Sequence, residues 1–190
     1  ETSITYEDGI KVVWLYVPYS NHMGFFARIF SFLKFAYLSY SKAITIEADL
    51  IFASSTPLTI SLPAIFASRK KKIPFVFEVR DLWPELPIAV GAINNYFLKK
   101  IAYQLEKISY NNSNGIVALS DGMRDGIIRT GYYPQNVTVI PNGSDLDLFN
   151  PDKPQKKFYR DKLNIPQNAM VILYPGTFGK INGVSYLVNL

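Results

Sequence analysis

The densest concentration of chemistry-bearing side chains is Glu78-Val-Arg-Asp-Leu-Trp-Pro-Glu-Leu-Pro87, where carboxylates, a cation and an indole share one short segment. Two readings stand side by side. One is an ionic turn held by its own charges around Trp83 as a buried wedge. In the other, Arg80 and Asp81 face a cleft that takes a sugar hydroxyl or a phosphate, Trp83 forms part of its wall, and Glu78 and Glu85 supply further acceptors. Upstream, Ser54-Ser-Thr-Pro57 has the composition of a helix start, with a hydroxyl cap before a proline at the first helical position. Ser55 and Thr56 then either cap that helix or present its N–H groups to an anion. Leu119-Ser-Asp-Gly-Met123 repeats the capping pattern.

Gly176-Thr-Phe-Gly-Lys-Ile-Asn-Gly183 follows an apolar run and precedes helix-forming residues. Small residues there let backbone amides approach oxyanions, which singles out Gly176, Thr177 and Lys180. The spacing is neither G-x-G-x-x-G nor that of a P-loop. Asp145-Leu-Asp147 has the form of a metal-holding D-x-D pair, but a metal needs further oxygen ligands and a rigid frame. With no cysteine and one histidine, His22, the chain lacks the means for a thiolate zinc site or a cysteine nucleophile. No metal or other cofactor is expected.

These residues must be positioned by the elements between them. Short β-branched and aromatic runs alternate with segments of helical period, the pattern of a parallel sheet with crossover helices. The sequence predicts strands at 11–17, 49–53, 74–80, 115–119 and 137–140, and helices at 24–44, 57–68, 93–110 and 121–130. Leu50-Ile-Phe-Ala53 and Phe75-Val-Phe77 read as continuous apolar runs, as when helices cover both sheet faces. The fold class is therefore α/β, a doubly wound Rossmann-like sheet. Turn chemistry after Ile140 marks a linker, a short helix is expected at 158–163, and Met170-Val-Ile-Leu-Tyr174 reads as the first strand of a second α/β domain. The expected organisation is a Rossmann-like domain over 1–140, a linker over 141–169, and the opening of another domain over 170–190. Ligands of such sheets bind beyond the carboxyl ends of the strands, where Arg80, Asp81 and Thr56 fall.

With 48% hydrophobic residues the chain holds enough apolar material for one full core. Its net charge of +5 leaves nucleic acid, a membrane surface and phosphorylated small molecules open as partners. No secretory signal or membrane-spanning run is evident, and the expected location is cytoplasmic. The 24–44 helix carries more apolar residues than one stripe needs. Phe26, Ile29, Leu33, Tyr37, Tyr40 and Ile44 read as its inward face. Phe35 and Leu38, interleaved with Arg28, Lys34 and Lys42, read either as a contact with anionic lipid or as residues packed beneath a neighbouring segment.

In series, Val17-Pro-Tyr-Ser-Asn21, Phe75-Val-Phe-Glu-Val-Arg-Asp-Leu-Trp-Pro-Glu85, Gly115-Ile-Val-Ala-Leu-Ser120, Val137-Thr-Val-Ile-Pro-Asn-Gly143 with Asp145 and Phe149, and Leu173-Tyr-Pro-Gly-Thr177 with Gly183 resemble family 4 glycosyltransferases. The resemblance is nearest to the branch that builds bacterial surface polysaccharides and includes the N-acetyl-fucosaminyl transferases. It implies a GT-B architecture: an acceptor-side domain first, a domain for the nucleotide-sugar second, and metal-free transfer between them with retention of configuration. In those terms Asp81 and Arg80 are the catalytic candidates. Ser55, Thr56, Glu78, Trp83 and Glu85 are acceptor-side candidates, and Gly176, Thr177 and Lys180 donor-side ones. The implied partners are a nucleotide-sugar and a glycan or lipid-linked acceptor, with peripheral contact at the inner face of the cell membrane and no nucleic acid.

The chain departs from the family pattern in three respects. Arg80 stands where many members have a histidine. Thr177 and Asn182 stand where an arginine and a lysine are common. The family's first strand falls upstream of Glu1 and its donor-gripping glutamates beyond Leu190, so an inactive fragment prone to self-association at an open sheet edge is expected. Two other readings compete. A Rossmann dehydrogenase lacks its glycine fingerprint here, and a non-enzymatic module would bind an anionic ligand or partner.

Overall fold

The computed structural model describes residues 2–20, 22–150, 156–176, 178 and 182–188. The chain divides into two units, Glu1–Pro141 and Asn142–Leu190. The first is α/β, a four-stranded parallel sheet flanked by helices. Strands β3 (Ile51–Ser54), β4 (Phe75–Val79), β5 (Gly115–Ala118) and β6 (Val137–Val139) lie in sequential order. Ile51 pairs with Phe75, Val76 with Gly115, and Ile116 with Val137. Each strand advances one place in the same direction. Right-handed crossovers then put α2 (Ser61–Lys71), α4 (Tyr96–Asn111) and α5 (Asp121–Arg129) on one face. On that face Ala53, Phe75, Phe77, Val79, Ile116 and Ala118 are buried. The other face carries half-buried Val76 and Val117 and exposed Phe52.

The strand expected at 11–17 lies outside this sheet. It spans Ile10–Leu15 as β2 and pairs antiparallel with β1 (Thr2–Glu7), with Glu7 opposite Ile10. Asp8 and Gly9 between them have φ of 48° and 83°. Positive φ at both central residues is what a two-residue hairpin turn needs to match strand twist. Asp-Gly supplies it, and the Trp14 indole donates to Thr5 Oγ1 at 2.8 Å across the pair.

Helix α1 (Phe25–Ala43) packs chiefly on α2, and the expected inward face holds in part: Ile29, Tyr40 and Ile44 are half-buried, with Tyr40 edge-on to Phe66 of α2. Ser31 and Ala36 are its buried residues, whereas Phe26, Leu33 and Tyr37 are exposed. Ser31 also donates to Pro18 O at 2.8 Å, which ties the preceding loop to the helix. Leu38 is half-buried and Phe35 lies at the edge of exposure. The helix expected at 57–68 begins as a 3-10 turn, Leu58–Ile60, and becomes α2 only at Ser61. A short α3 (Glu85–Ala89) precedes α4, which starts at Tyr96 because Asn95 Oδ1 accepts from the Phe97 and Leu98 N–H groups. Ser120 caps α5 in the same way, through Met123 N.

In the second unit, α6 (Lys156–Lys162) and α7 (Val184–Val188) are helical. Arg160 holds the turn after α6 by donating to Pro166 O and Ala169 O. The expected strand at 170–174 does not form. Met170, Ile172 and Leu173 are exposed, and no strand among the described residues of this unit offers them a ladder partner.

Candidate functional site

At the carboxyl edge of the sheet, β3 and β4 end side by side and their following loops are cross-linked. Ser54 Oγ donates to Glu78 Oε2. Ser55 is buried, and its Oγ accepts from Arg80 N at 2.9 Å, while Ser55 N donates to Glu78 O at 2.9 Å. Thr56 Oγ1 donates to Asp81 Oδ2 at 2.7 Å. The consecutive hydroxyls Ser54, Ser55 and Thr56 thus meet Glu78, Arg80 and Asp81, each through a different bond.

This corrects the capping expectation for Ser55 and Thr56. Neither satisfies a helix N-terminus, and the 3-10 turn after Pro57 has no side-chain cap. The hydroxyl of Thr56 is instead committed to a carboxylate. That bond fixes one Asp81 oxygen and leaves the carboxylate's remaining lone pairs for another donor. Asp81 is half-buried and Arg80 exposed, so a charge pair sits at the edge where ligands of such sheets bind.

Trp83 is half-buried and packs with Leu82 against the core, and Pro84 beside it is fully buried. The indole therefore anchors the loop. Leu82 reaches α5 where Gly126 leaves room: a Cβ on Gly126 would lie 2.7 Å from Leu82 Cδ1. The peptide bonds Thr56–Pro57 and Trp83–Pro84 are both cis. Glu85 is exposed, in the first turn of α3.

Glu106 was missed in the sequence. On α4 it is buried, with a hydrogen bond from Tyr110 and the charge of Glu85 nearby. Burial is the main cause that lifts its carboxyl from 4.5 to about 7, the Tyr110 bond opposes the rise, and Glu85 adds to it. Tyr110 in turn is pushed well above the ordinary phenol range, first by burial and then by Glu106. The signal available beforehand was the i, i+4 spacing of Glu106 and Tyr110 along the face that also carries Ser109. Ser109 meets Ser61 of α2 at 2.6 Å between hydroxyl oxygens.

In the second unit, Asp145 Oδ1 accepts from Asp147 N and Leu148 N, so this carboxylate closes a turn. Among the described residues no cluster of three His, Cys, Asp or Glu side chains is placed to hold a metal ion. Gly176 is exposed, and a Cβ there would lie 2.6 Å from the ring of Tyr174. Thr177 and Lys180 lie outside the described residues, as does Asn21.

The model of the glycosyl transferase 4-like domain matches residues 3–143. The chain belongs to this glycosyltransferase family. Among curated proteins, it is 26% identical over 145 residues to alpha-maltose-1-phosphate synthase of Mycolicibacterium smegmatis, covering 75% of this chain and 37% of that protein. It is 23% identical over 199 aligned positions to the putative colanic acid biosynthesis glycosyl transferase WcaI of Escherichia coli, covering 96% of this chain and 47% of the relative. Among solved structures, Anabaena HepE in complex with UDP superposes with a TM-score of 0.46 at 17% identity, over 70% of this chain and 32% of HepE. The chain spans less than half the length of each of these proteins. The match to the glycosyl transferase 4-like domain takes in both β-loop arms of the site, from Ser54 to Glu85.

Proposed function

We propose that the chain is the acceptor-side part of a retaining glycosyltransferase that moves a sugar from a nucleotide-sugar to a polysaccharide or lipid-linked acceptor. The observation that carries this reading is the bond between Thr56 and Asp81 at the carboxyl edge of the sheet, inside the span matched by the glycosyltransferase family. In this reading Asp81 accepts a hydrogen bond from an acceptor hydroxyl, and Arg80 faces developing negative charge. Ser55, Thr56 and Glu78 hold the two loops in register, Trp83 anchors them, and Glu85 lies at the rim. Gly176, Thr177 and Lys180 belong to the donor side, where cations and backbone N–H groups stabilise the leaving diphosphate without a metal. The surface-polysaccharide branch that includes the N-acetyl-fucosaminyl transferases remains the proposed placement. Residues 1–140 form the acceptor domain, 141–169 the linker and 170–190 the opening of the donor domain. The protein works in the cytoplasm at the inner face of the cell membrane, and the 190-residue chain alone is inactive.

Two measurements test this. Calorimetric titration of the isolated chain with uridine and guanosine sugars is expected to show no micromolar binding, and such binding would overturn the domain assignment. The natural protein that carries this chain is expected to transfer labelled sugar to a glycan or lipid-linked acceptor in the presence of a chelator. Failure across both nucleotide series returns the chain to a non-enzymatic, anion-binding role.

A further inference from the structure

Three asparagines of the chain stand directly before a glycine: Asn114-Gly115, Asn142-Gly143 and Asn182-Gly183. In such a pair the backbone nitrogen of the glycine can close a ring on the asparagine's own side chain. Glycine favours the reaction because it has no Cβ to hinder the approach and its backbone turns freely. By sequence the three pairs are equivalent. Their surroundings are not.

Asn114 is exposed, yet it is locked at the head of β5. Its N–H donates to Phe75 O at 2.7 Å and its Oδ1 accepts from Phe75 N at 2.9 Å, while Gly115 pairs with Val76 in the sheet. Ring closure there requires the strand to open first. Asn182 precedes a glycine with φ of 56°, whose carbonyl accepts from Tyr186 N at 2.8 Å at the start of α7, and Asn182 is itself engaged. Asn142 and Gly143 differ from both. They are exposed, as are Ile140, Pro141 and Ser144 around them. The last sheet bond before them runs from Ile140 N to Ala118 O, and the next turn is the one that Asp145 Oδ1 closes on Asp147 N and Leu148 N. Between these two anchors, no hydrogen bond among the described residues holds the Asn142 side chain or the Gly143 N–H. A Cβ on Gly143 would meet nothing within 4 Å among them.

We infer that Asn142 is a site of self-modification, the first asparagine of the folded chain to convert to aspartate and isoaspartate. A base in solution takes the Gly143 amide proton, and the nitrogen forms a bond to Asn142 Cγ. The Cγ–Nδ2 bond breaks, and Nδ2 takes a proton and leaves as ammonia. Water then opens the succinimide. Attack at Cγ gives aspartate in a normal main chain. Attack at the main-chain carbonyl carbon leaves the chain running through Cγ, as isoaspartate. Water is the only co-reactant. Either product places a new negative charge three residues beyond the end of β6, and isoaspartate adds a methylene to the main chain where the first unit gives way to the second. Loss of ammonia makes the step one-way, so the converted fraction grows with the age of the molecule. The inference does not depend on the proposed transfer reaction.

The test is peptide mapping by mass spectrometry of the full chain after incubation in mildly acid and mildly alkaline buffer. The peptide that holds Asn142 is expected to gain about 1 Da and to separate into two chromatographic forms. Conversion should be faster in the alkaline buffer, where more of the amide nitrogen is deprotonated. Asn114 should trail by at least about tenfold, since both of its bonds to Phe75 must break first. Gly143→Val, which crowds the attacking nitrogen, should slow conversion severalfold while circular dichroism stays unaltered. In urea, where the structure no longer separates the three pairs, their rates should converge. Conversion of Asn114 or Asn182 ahead of Asn142 in the folded chain, an order that persists in urea, or a rate untouched by Gly143→Val overturns the inference.

Discussion

Asp81 is held by Thr56 Oγ1 at 2.7 Å, so its substitution separates a bound carboxylate from a catalytic one. In the natural protein, Asp81→Ala is expected to lower transfer at least roughly tenfold, since a charge-assisted hydrogen bond is worth about 1.5 to 3 kcal/mol. Thr56→Val keeps the carboxylate and removes only its donor, and a smaller loss should follow. Full turnover in a folded Asp81→Ala protein would return the turn to a structural role. Glu106 makes a prediction about pH. Its folded-state carboxyl holds a proton up to about 7, against 4.5 when unperturbed. The contribution to stability is thus complete below about pH 4.5 and is lost as pH rises to about 7. The amount is on the order of 3 kcal/mol. Glu106→Gln, which stays neutral, should raise the melting temperature at pH 8 by several degrees, at roughly 2 to 4 °C per kcal/mol, and change it little at pH 4. Parallel melting curves for the two proteins across this range would rule out the assignment. An i, i+4 spacing on a helix sets Glu106 and Tyr110 on one face, a signal the sequence reading passed over. It did not show that this face turns inward.

At the scale of elements, local chemistry decided boundaries well wherever a side chain bonds its own helix. Ser120 and Asn95 cap α5 and α4 as their types allow. Ser120→Ala should cost about 1 kcal/mol, readable as a shift in the urea midpoint. Thr56 has the same kind of hydroxyl before a proline, yet it bonds Asp81 instead, because β4 brings a carboxylate within reach that the local sequence does not contain. Gly126 is a second long-range dependence. Its missing side chain admits Leu82, the neighbour of Trp83. Gly126→Ala should displace that flexible leucine at modest cost in stability and alter Trp83 fluorescence. An unchanged spectrum would show that the leucine yields without moving the loop. The hairpin had a legible signal in Asp8-Gly9, two residues between strands, and reading β2 as part of the parallel sheet overlooked it.

At the scale of the molecule, β3 is an end strand of the described sheet, and Phe52 on it is 55% exposed. An open edge with apolar neighbours is a template for pairing, so the isolated chain should self-associate with concentration in sedimentation velocity. Phe52→Lys should shift it toward monomer, and a concentration-independent monomer would remove the edge as an association site. The orientation of α1 belongs to this scale too. Its apolar residues are numerous enough that more than one stripe qualifies as inward, and the sequence favoured the one with the largest side chains. The structure buries Ser31, which bonds Pro18 O, and Ala36, and sets Tyr40 edge-on to Phe66 of α2.

The sequence by itself determined the alternation of strands and helices, the parallel α/β class, and the family, because period, capping and turn residues act over a few neighbours and recur in order along the chain. It also placed Asp81 and Thr56 in loops at the same sheet edge. Tertiary structure alone decided that Thr56 bonds Asp81, that Glu106 is buried beside Tyr110, and which faces of α1 and α4 meet solvent. Each of these depends on what a distant segment sets opposite a side chain, and residue type and spacing do not encode that partner.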